Sequence, residues 1–462
     1  MKKIESFLNS GLYIALIFLI TLISWSFYQE TPPYAFNILN MLGVFLLILI
    51  CTFILVLYEN TLYIVPILIS FLFIINKSDM TFDTVSSLGF PILAFSIFLI
   101  GFVVHIIRFK PKFQQKKFYI GFFLIATAYL APLIYIPFDI RSIPVSLTGV
   151  MYLLIYVFMS NTLKGSLNYL FKVMMFANLL LVAEVFFYIY QGYLLHPEMD
   201  FYHRIFQGWG RNLGWANIND MCFYIALTFP GYIYFIFKKP STYLTWNLMI
   251  FPVLAVLLSR SRGGMIGFAV VVFLSFMFFI LRGNKKHLFH GLIFLLFSAM
   301  LFYLNREILY LWYDELILSL GNDLNEFSSN RLYIYSEGFK IFKQYPLFGG
   351  GWISIYSFPF AGRIFMFHST WIQVLASMGL YGAVALLIHY YQIGVFMLKK
   401  VHLEKWLFLI GYVASQIHGL IDNVQFSVPY SVLIVLFLAV FENSEIETNF
   451  EMIDKRYHLL TI

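Results

Sequence analysis

Apolar residues run almost without interruption for about 20 positions at a time along the whole chain. Each run is long enough to cross a hydrocarbon core about 30 Å thick as a helix. A membrane β-barrel would show alternating apolar and polar residues instead. The pattern predicts an all-α integral membrane protein with about 12–14 transmembrane helices. The predicted spans are residues 11–27, 38–57, 61–76, 89–107, 118–136, 143–160, 167–190, 219–237, 243–258, 263–281, 288–304, 366–397, 407–422 and 428–441.

Composition supports the membrane class. Of the 462 residues, 61% are hydrophobic and 11% are charged, against roughly 25% charged residues in soluble domains. The first run, Gly11 to Phe27, follows two lysines but lacks a small-residue cleavage pattern, so we expect a retained span rather than a signal peptide. Cys51 and Cys222 lie inside apolar runs, which predicts neither a disulfide nor a zinc site.

The distribution of positive charge predicts the topology. An even number of spans puts both termini on one side, and the positive-inside rule makes that side the cytoplasm. The cytoplasmic segments then hold fifteen lysines and three arginines, and the external segments hold eight arginines and three lysines. Topology therefore accounts for the net charge of +7, and the absence of a basic stripe argues against nucleic acid as a partner.

Arginine concentrates outside, although orientation requires only positive charge. The guanidinium group offers a planar fork of donors suited to phosphate and carboxylate. The bias predicts an external anion site. The alternative is that these arginines cap helix ends or contact lipid headgroups.

Two external segments exceed the length of a turn, Gly192–Asn217 and a longer one over residues 305–365. Long structured loops are usually functional. In the longer segment, apolar residues at positions 332, 335, 339 and 342 have helical spacing, and Pro346 with the following glycines ends the pattern. We expect an amphipathic surface helix that begins at Arg331.

Polar residues cluster at the outer ends of two spans. Arg211 and Asn217 precede the eighth span, where a side chain such as Asn217 can cap the helix. Arg260 and Arg262 lie in a tight Ser-Arg-Ser-Arg-Gly-Gly hairpin at residues 259–264. A charge at mid-membrane costs about 2.5–3.5 kcal/mol, so this pair indicates a fixed partner unless both side chains extend to the headgroups.

Titratable residues mark three further spans. His368 comes just before a predicted span and is either a helix-entry residue or a catalytic one. Glu184 falls inside the seventh span, and intramembrane acids are often functional. His418 and Asp422 are four residues apart on one helix face, where they could serve the substrate or pair structurally.

Three motifs in this order resemble the O-antigen polymerase/ligase superfamily: the arginine-bearing hairpin at 259–264, an arginine-led helix that runs into Pro-Leu-Phe-Gly-Gly-Gly at 346–351, and His-Ser-Thr at 368–370 before a span that reaches a glycine. The resemblance covers roughly residues 205–385. It implies an oligosaccharide donor on undecaprenyl pyrophosphate, displayed outside the bacterial cytoplasmic membrane. It also implies transfer to a hydroxyl with inversion, without a metal or another cofactor.

The resemblance further implies that Arg260 or Arg262 binds the pyrophosphate together with Arg331, and that His368 is the catalytic histidine. The chemistry agrees, because arginines stabilise the charge of a departing pyrophosphate and a neutral histidine can act as the base for an acceptor hydroxyl. Ligases often have His-Asn where this chain has His368-Ser369. The resemblance and the spans divide the chain into a transmembrane scaffold (1–190), a catalytic membrane region (191–442) that includes the external loop 305–365, and a cytoplasmic tail (443–462).

Three functions remain open. A polymerase adds repeat units to another lipid-linked chain, whereas a ligase transfers the glycan to a different acceptor, such as lipid A core, a wall polymer or a protein. The Phe-, Ile- and Lys-rich composition is typical of an AT-rich genome such as that of a Gram-positive bacterium, where no lipid A core exists. It therefore favours a polymerase of the capsule, exopolysaccharide, O-antigen or teichuronic-acid type. A transporter is the third reading, but its polar residues would concentrate at mid-membrane on broken helices. Besides the lipid-linked oligosaccharide and membrane lipids, a flippase and a chain-length regulator are candidate partners.

Overall fold

Each of the fourteen predicted spans coincides with helix in the computed structural model. The structure describes residues 2–26, 38–75, 90–136, 139–195, 197–199, 217–238, 243–304, 330–354, 362–364, 366–399 and 402–444, together with single positions at 215, 306, 307, 310, 313 and 328. The helices are α1 (Lys2–Leu8), α2 (Gly11–Ser26), α3 (Ile38–Leu57), α4 (Val65–Ile75), α5 (Phe90–Phe109), α6 (Tyr119–Leu130), α7 (Ser142–Thr162), α8 (Leu167–Leu195), α9 (Ile218–Thr228), α10 (Pro230–Lys238), α11 (Tyr243–Leu248), α12 (Ile250–Leu258), α13 (Arg262–Arg282), α14 (Lys285–Leu304), α15 (Arg331–Gln344), α16 (Thr370–Leu398), α17 (Leu403–His418) and α18 (Val428–Asn443). Short 3-10 turns lie at Thr61–Ile64, Ala131–Ile134 and Val424–Phe426.

The all-α membrane fold is confirmed. By length and composition, α7, α8, α13, α16 and the continuous pair α9–α10 can each cross a membrane. Helices α1 and α2, which meet at 59°, form either a broken span or a re-entrant loop. Six further apolar segments of 10–17 residues occupy other predicted spans. A two-stranded antiparallel pair, β1 (Ile353–Ser354) with β2 (Arg363–Ile364), lies in the loop that is predicted to be external.

Helix α18 forms the centre of the core. Its residues from Pro429 to Phe441 are all buried, as expected for a helix that is apolar on every side. It packs on α4, α7 and α8 from the first half of the chain. A single hydrophobic cluster consequently includes both the predicted scaffold and the predicted catalytic region.

Helix α16 is broken at Gly379, where φ is +62° and the backbone leaves the helical conformation. The loop 346–351 supplies the hydrogen bonds that the break removes. Gly350 and Gly351 donate to the carbonyls of residues 376 and 377 at 2.7 and 3.1 Å. In return, the N–H groups of residues 380 and 381 donate to the carbonyls of residues 346 and 347 at 2.8 and 2.9 Å. A broken helix is tolerated at membrane depth when a neighbouring segment satisfies its backbone in this way.

Glycine is required at the two closest points of this contact. A Cβ atom on Gly349 would lie 2.3 Å from the backbone nitrogen of Met378, and one on Gly379 would lie 2.6 Å from that of Gly349. Both glycines also have positive φ, a region that side chains disfavour. The Pro-Leu-Phe-Gly-Gly-Gly motif therefore builds the break in α16 as well as ending α15.

The predicted helix that begins at Arg331 is confirmed, and it is α15. Glu337, Gly338 and Ile341 are buried, and Gly338 lies against α16 and Phe367. Leu332 and Phe339, which carry the periodicity, are 50% and 43% exposed. Periodicity reveals an apolar stripe but not its surroundings, and on a membrane protein the stripe need not face the core.

Two lysines and the arginine at the start of α7 mark opposite ends of the bundle. At one end, Lys116 Nζ donates to Asn443 at 3.1 Å and Lys164 pairs with Glu59 at 2.9 Å. At the other end, Arg141 donates to the Gly362 carbonyl at 2.7 Å and so ties the start of α7 to the loop 305–365. The site described next lies at the arginine end.

Candidate functional site

The turn that follows α17, residues 419–423, is the meeting point of the predicted site segments. The N–H of Thr370, at the start of α16, donates to the carbonyls of Gly419 and Asp422 at 2.9 and 3.1 Å. From α15, Arg331 Nη1 donates to the carbonyl of Ile421. The first residues of α15 and α16 are therefore held against the same short turn.

His368 and Asp422 face each other across this junction. His368 Nδ1 lies 3.4 Å from Asp422 Oδ1, and the two side chains are 40% and 4% exposed. Because a carboxylate can only accept, this contact favours the tautomer that carries its proton on Nδ1 and its lone pair on Nε2. The pair thus presents a basic nitrogen on an imidazole that is partly open to solvent and held by a buried carboxylate.

The charge state of Asp422 suits this arrangement. Burial raises the pKa of Asp422, but the contacts with His368, His418 and the N–H of Asn423 outweigh burial and hold that pKa below its usual value. The Asn423 N–H donates to Asp422 Oδ1 at 2.8 Å. Asp422 is consequently a carboxylate at neutral pH, able to orient a neighbouring imidazole and to stabilise it when protonated.

Three predicted site segments contain a non-glycine residue in the left-handed backbone region. Arg260, Asn330 and His368 have φ values of +53°, +61° and +48°. Among the described residues, the other non-glycine case is Lys110 at +46°. Such conformations cost on the order of 1–3 kcal/mol each and persist where the surroundings enforce them. The strain falls mainly on the segments that carry the predicted chemistry.

The arginine hairpin reaches the same turn from another side. Ser261 caps α13, accepting from the Gly264 N–H at 2.8 Å, and its hydroxyl also donates to Asn219. A Cβ atom on Gly263 would lie 2.9 Å from His418 Nε2 and 3.0 Å from Ile421 Cδ1. The absence of a side chain at Gly263 therefore lets the hairpin approach the turn to which Arg331 is bound.

The remaining predicted residues are placed as follows. Asn217 caps α9, and its side chain donates to Asp220 Oδ1 at 2.9 Å, so the structure gives it a capping role. His418 is the last residue of α17 and is buried behind Gly263. Asp422 lies beyond that helix, in the turn, so the prediction that His418 and Asp422 share one helix face is wrong. Glu184 is fully buried in α8, which packs mainly on α2, α9 and α10. Arg211 lies outside the described residues.

Comparison with known proteins identifies the region that carries this geometry. Residues 248–387 match the family model of the O-antigen ligase. The matched region, which is less than half of the chain, is therefore similar to an O-antigen ligase domain. This match supports the predicted membership of the O-antigen polymerase/ligase superfamily. No curated protein matches the chain.

The matched region, residues 248–387, contains the hairpin, α15, the glycine loop, His368 and the break in α16. It ends before the turn 419–423, so Asp422 contributes to the site from outside the matched region. The family match and the apolar helices together support a multi-pass membrane protein that transfers glycans, of the polymerase/ligase type.

Sequence reasoning missed two residues that hold the site together. Tyr335 donates to the His368 carbonyl at 2.9 Å, and Asn423 accepts from the Ser369 N–H at 3.0 Å. A signal for Tyr335 was present, since it follows Arg331 by four residues and so shares a helix face with it. Asn423 carried no signal beyond its position next to Asp422.

Proposed function

We propose that this protein polymerises oligosaccharide repeat units linked to undecaprenyl pyrophosphate, at the external face of the bacterial cytoplasmic membrane. The similarity to an O-antigen ligase domain supports glycan transfer of this type in general. The observation that carries the proposal further is the His368–Asp422 pair, which lies beside a turn bound by Arg331 and approached by the Arg260/Arg262 hairpin.

The proposed reaction is a single displacement at the anomeric carbon of the donor sugar. The acceptor hydroxyl gives its proton to His368 Nε2 and its oxygen forms the new glycosidic bond, while the bond to the pyrophosphate oxygen breaks on the opposite face. The configuration at the anomeric carbon is inverted, and lipid pyrophosphate leaves with the bonding electrons. Asp422 stabilises the imidazolium, as an orienting carboxylate does in other acid–base pairs.

The arginines would act on the leaving group. Pyrophosphate departs readily once its developing negative charge is stabilised by preorganised donors. Arg331 and one or both of Arg260 and Arg262 can supply them, and their guanidinium forks match pairs of phosphate oxygens. The proposed mechanism assigns no step to a metal or an organic cofactor.

A ligase is the second candidate, because the matched family model is described as an O-antigen ligase. The two functions differ only in acceptor. Purified protein supplied with lipid-linked repeat units alone should elongate them if it is a polymerase. Transfer that requires lipid A core, a wall polymer or a protein acceptor would assign the ligase function instead.

His368→Ala provides the test of the mechanism. Loss of a general base typically lowers the rate about 10²–10⁴-fold, whereas loss of a helix-entry contact costs only about 1 kcal/mol of stability. The variant should insert, express and bind lipid-linked donor normally but transfer sugar only at a residual rate about 10²–10⁴-fold below wild type, and neither chelator nor added divalent metal should change this. His290→Ala, on α14 and outside the site, is the matched control and should remain active. Elongation by His368→Ala at the wild-type rate would overturn the proposal.

A further inference from the structure

The peptide group that joins His368 to Ser369 is fixed from both sides. Its carbonyl accepts from the Tyr335 hydroxyl at 2.9 Å, and its N–H donates to Asn423 Oδ1 at 3.0 Å. The orientation of this peptide plane sets ψ of His368, whose φ is already in the left-handed region. Two hydrogen bonds from separate elements thus enforce a backbone conformation that His368 would otherwise leave.

The position of the imidazole depends on that backbone. The 3.4 Å separation between His368 Nδ1 and Asp422 Oδ1 is longer than the 2.7–3.2 Å usual for such bonds. A contact of this length is sensitive to where the backbone places the ring. The bond from Tyr335 is therefore placed where it can decide whether the histidine meets its carboxylate.

Tyr335 belongs to the helix that carries the proposed phosphate-binding arginine. Arg331 and Tyr335 are one turn apart on α15, and each donates to a main-chain carbonyl of a different segment, Ile421 and His368 respectively. Burial raises the pKa of the Tyr335 hydroxyl, with Asp422 adding to the effect and Arg331 opposing it. The hydroxyl accordingly remains a protonated donor throughout the neutral range.

We propose that Tyr335 is a positioning residue that holds the His368 backbone so that the imidazole contacts Asp422. Through this bond, the position of the base depends on the position of the arginine-bearing helix α15. The inference rests on the proposed function, because it assumes that His368 acts as the base. Tyr335 itself touches neither the sugar nor the pyrophosphate in this scheme.

The first experiment compares Tyr335→Phe with Tyr333→Phe, using undecaprenyl-pyrophosphate-linked repeat units as donor. Removing the Tyr335 hydroxyl should lower kcat about tenfold, the effect of losing one buried hydrogen bond, while KM for the donor changes less than about twofold because Arg331 is retained. Tyr333 is on the same helix with its side chain 42% exposed, so its variant should keep the wild-type kcat. A wild-type kcat in Tyr335→Phe would overturn the inference.

The second experiment separates positioning from general support of the fold. If Tyr335 acts through His368, adding Tyr335→Phe to His368→Ala should not lower the residual transfer rate any further. A merely structural effect should instead lower the transfer rate by the same factor in the wild-type and His368→Ala backgrounds. Equal losses would overturn the inference and leave the proposed function intact. Full activity of His368→Ala alone would instead reject the proposed function, so the two failures are distinguishable.

Discussion

At the scale of one residue, Arg331 illustrates why a positive charge alone does not suffice for the proposed phosphate binding. One of its nitrogens already donates to the Ile421 carbonyl, and the planar fork allows the same side chain to reach a second acceptor in fixed geometry. A lysine at this position would offer a single ammonium group. The side chain can thus bind the turn and a phosphate oxygen together only as arginine.

Arg331→Lys should therefore lose most of the activity that Arg331→Ala loses, at least about tenfold, because the fork and not the charge is removed. Single-turnover transfer from lipid-linked donor measures this directly. Lys343→Arg on the same helix is the control and should behave as wild type. Full polymer length with lysine at 331 and at 260 and 262 would contradict bidentate binding.

Asp422→Asn should lower kcat by about 10²-fold, since a neutral amide neither fixes the ring tautomer nor stabilises the imidazolium. The pKa of Asp422 is depressed in the folded protein, so its stabilising contact is present above the ordinary aspartate value near 4 and is lost only as the pH falls through the lower folded value. Wild-type kcat should accordingly show no titration of Asp422 between pH 5 and about 8. An unchanged kcat in Asp422→Asn, measured alongside thermal stability, would remove Asp422 from the mechanism.

At the scale of the element, the break in α16 is the feature on which the site depends. The loop 346–351 is inserted into it, and the same loop connects α15 to the rest of the domain. Ser369 and Thr370 lie at the start of α16, before the break. Restoring a continuous helix would expel the loop and displace α15 with Arg331.

Gly379→Ala tests this dependence. The added Cβ would meet the Gly349 nitrogen at 2.6 Å and would have to adopt a φ of +62°, so we expect a loss of roughly 1–3 kcal/mol or more in stability and a fall in activity. Gly394→Ala on the same helix is the control, since no heavy atom lies within 4 Å of its added Cβ. Thermal unfolding in detergent should show a lower midpoint for the first variant alone. Equal midpoints would show that the break is not required.

The elements predicted from sequence were those with a strong local signal. A run of about 20 apolar residues specifies a membrane helix whatever surrounds it, which is why all fourteen spans match helices. The break at Gly379 has no such signal, because its hydrogen bonds come from residues 346–351. The His368–Asp422 contact joins positions 54 apart in the chain, and the buried face of α15 is determined by α16 rather than by its own periodicity.

At the scale of the whole molecule, the separation of lysine from arginine connects topology to function. Lys116 and Lys164 lie at one end, while Arg141 and the site lie at the other. Under the positive-inside rule the lysine end is cytoplasmic. A donor displayed on the outer leaflet would then meet the arginine end directly.

Reporter fusions after Lys239 and Lys286 should therefore read cytoplasmic, and fusions within residues 305–365 should read external. The physical reason is the cost of moving clustered lysines across the membrane. Fusions at the end of α18 serve as the control and should match those after Lys239. A cytoplasmic signal from 305–365 would place the site on the wrong side for a donor displayed on the outer leaflet.

The left-handed residues of the site have a consequence for protein engineering. A sequence optimised only for stability would carry glycine at positions 260 and 368, because glycine adopts positive φ without penalty, and would keep asparagine or glycine at 330, since asparagine tolerates this region comparatively well. Such a redesign would improve the fold while deleting a hairpin arginine and the histidine. The natural chain keeps Arg260 and His368 against that preference, so an automated stabilisation of this protein should hold these two positions fixed from the start.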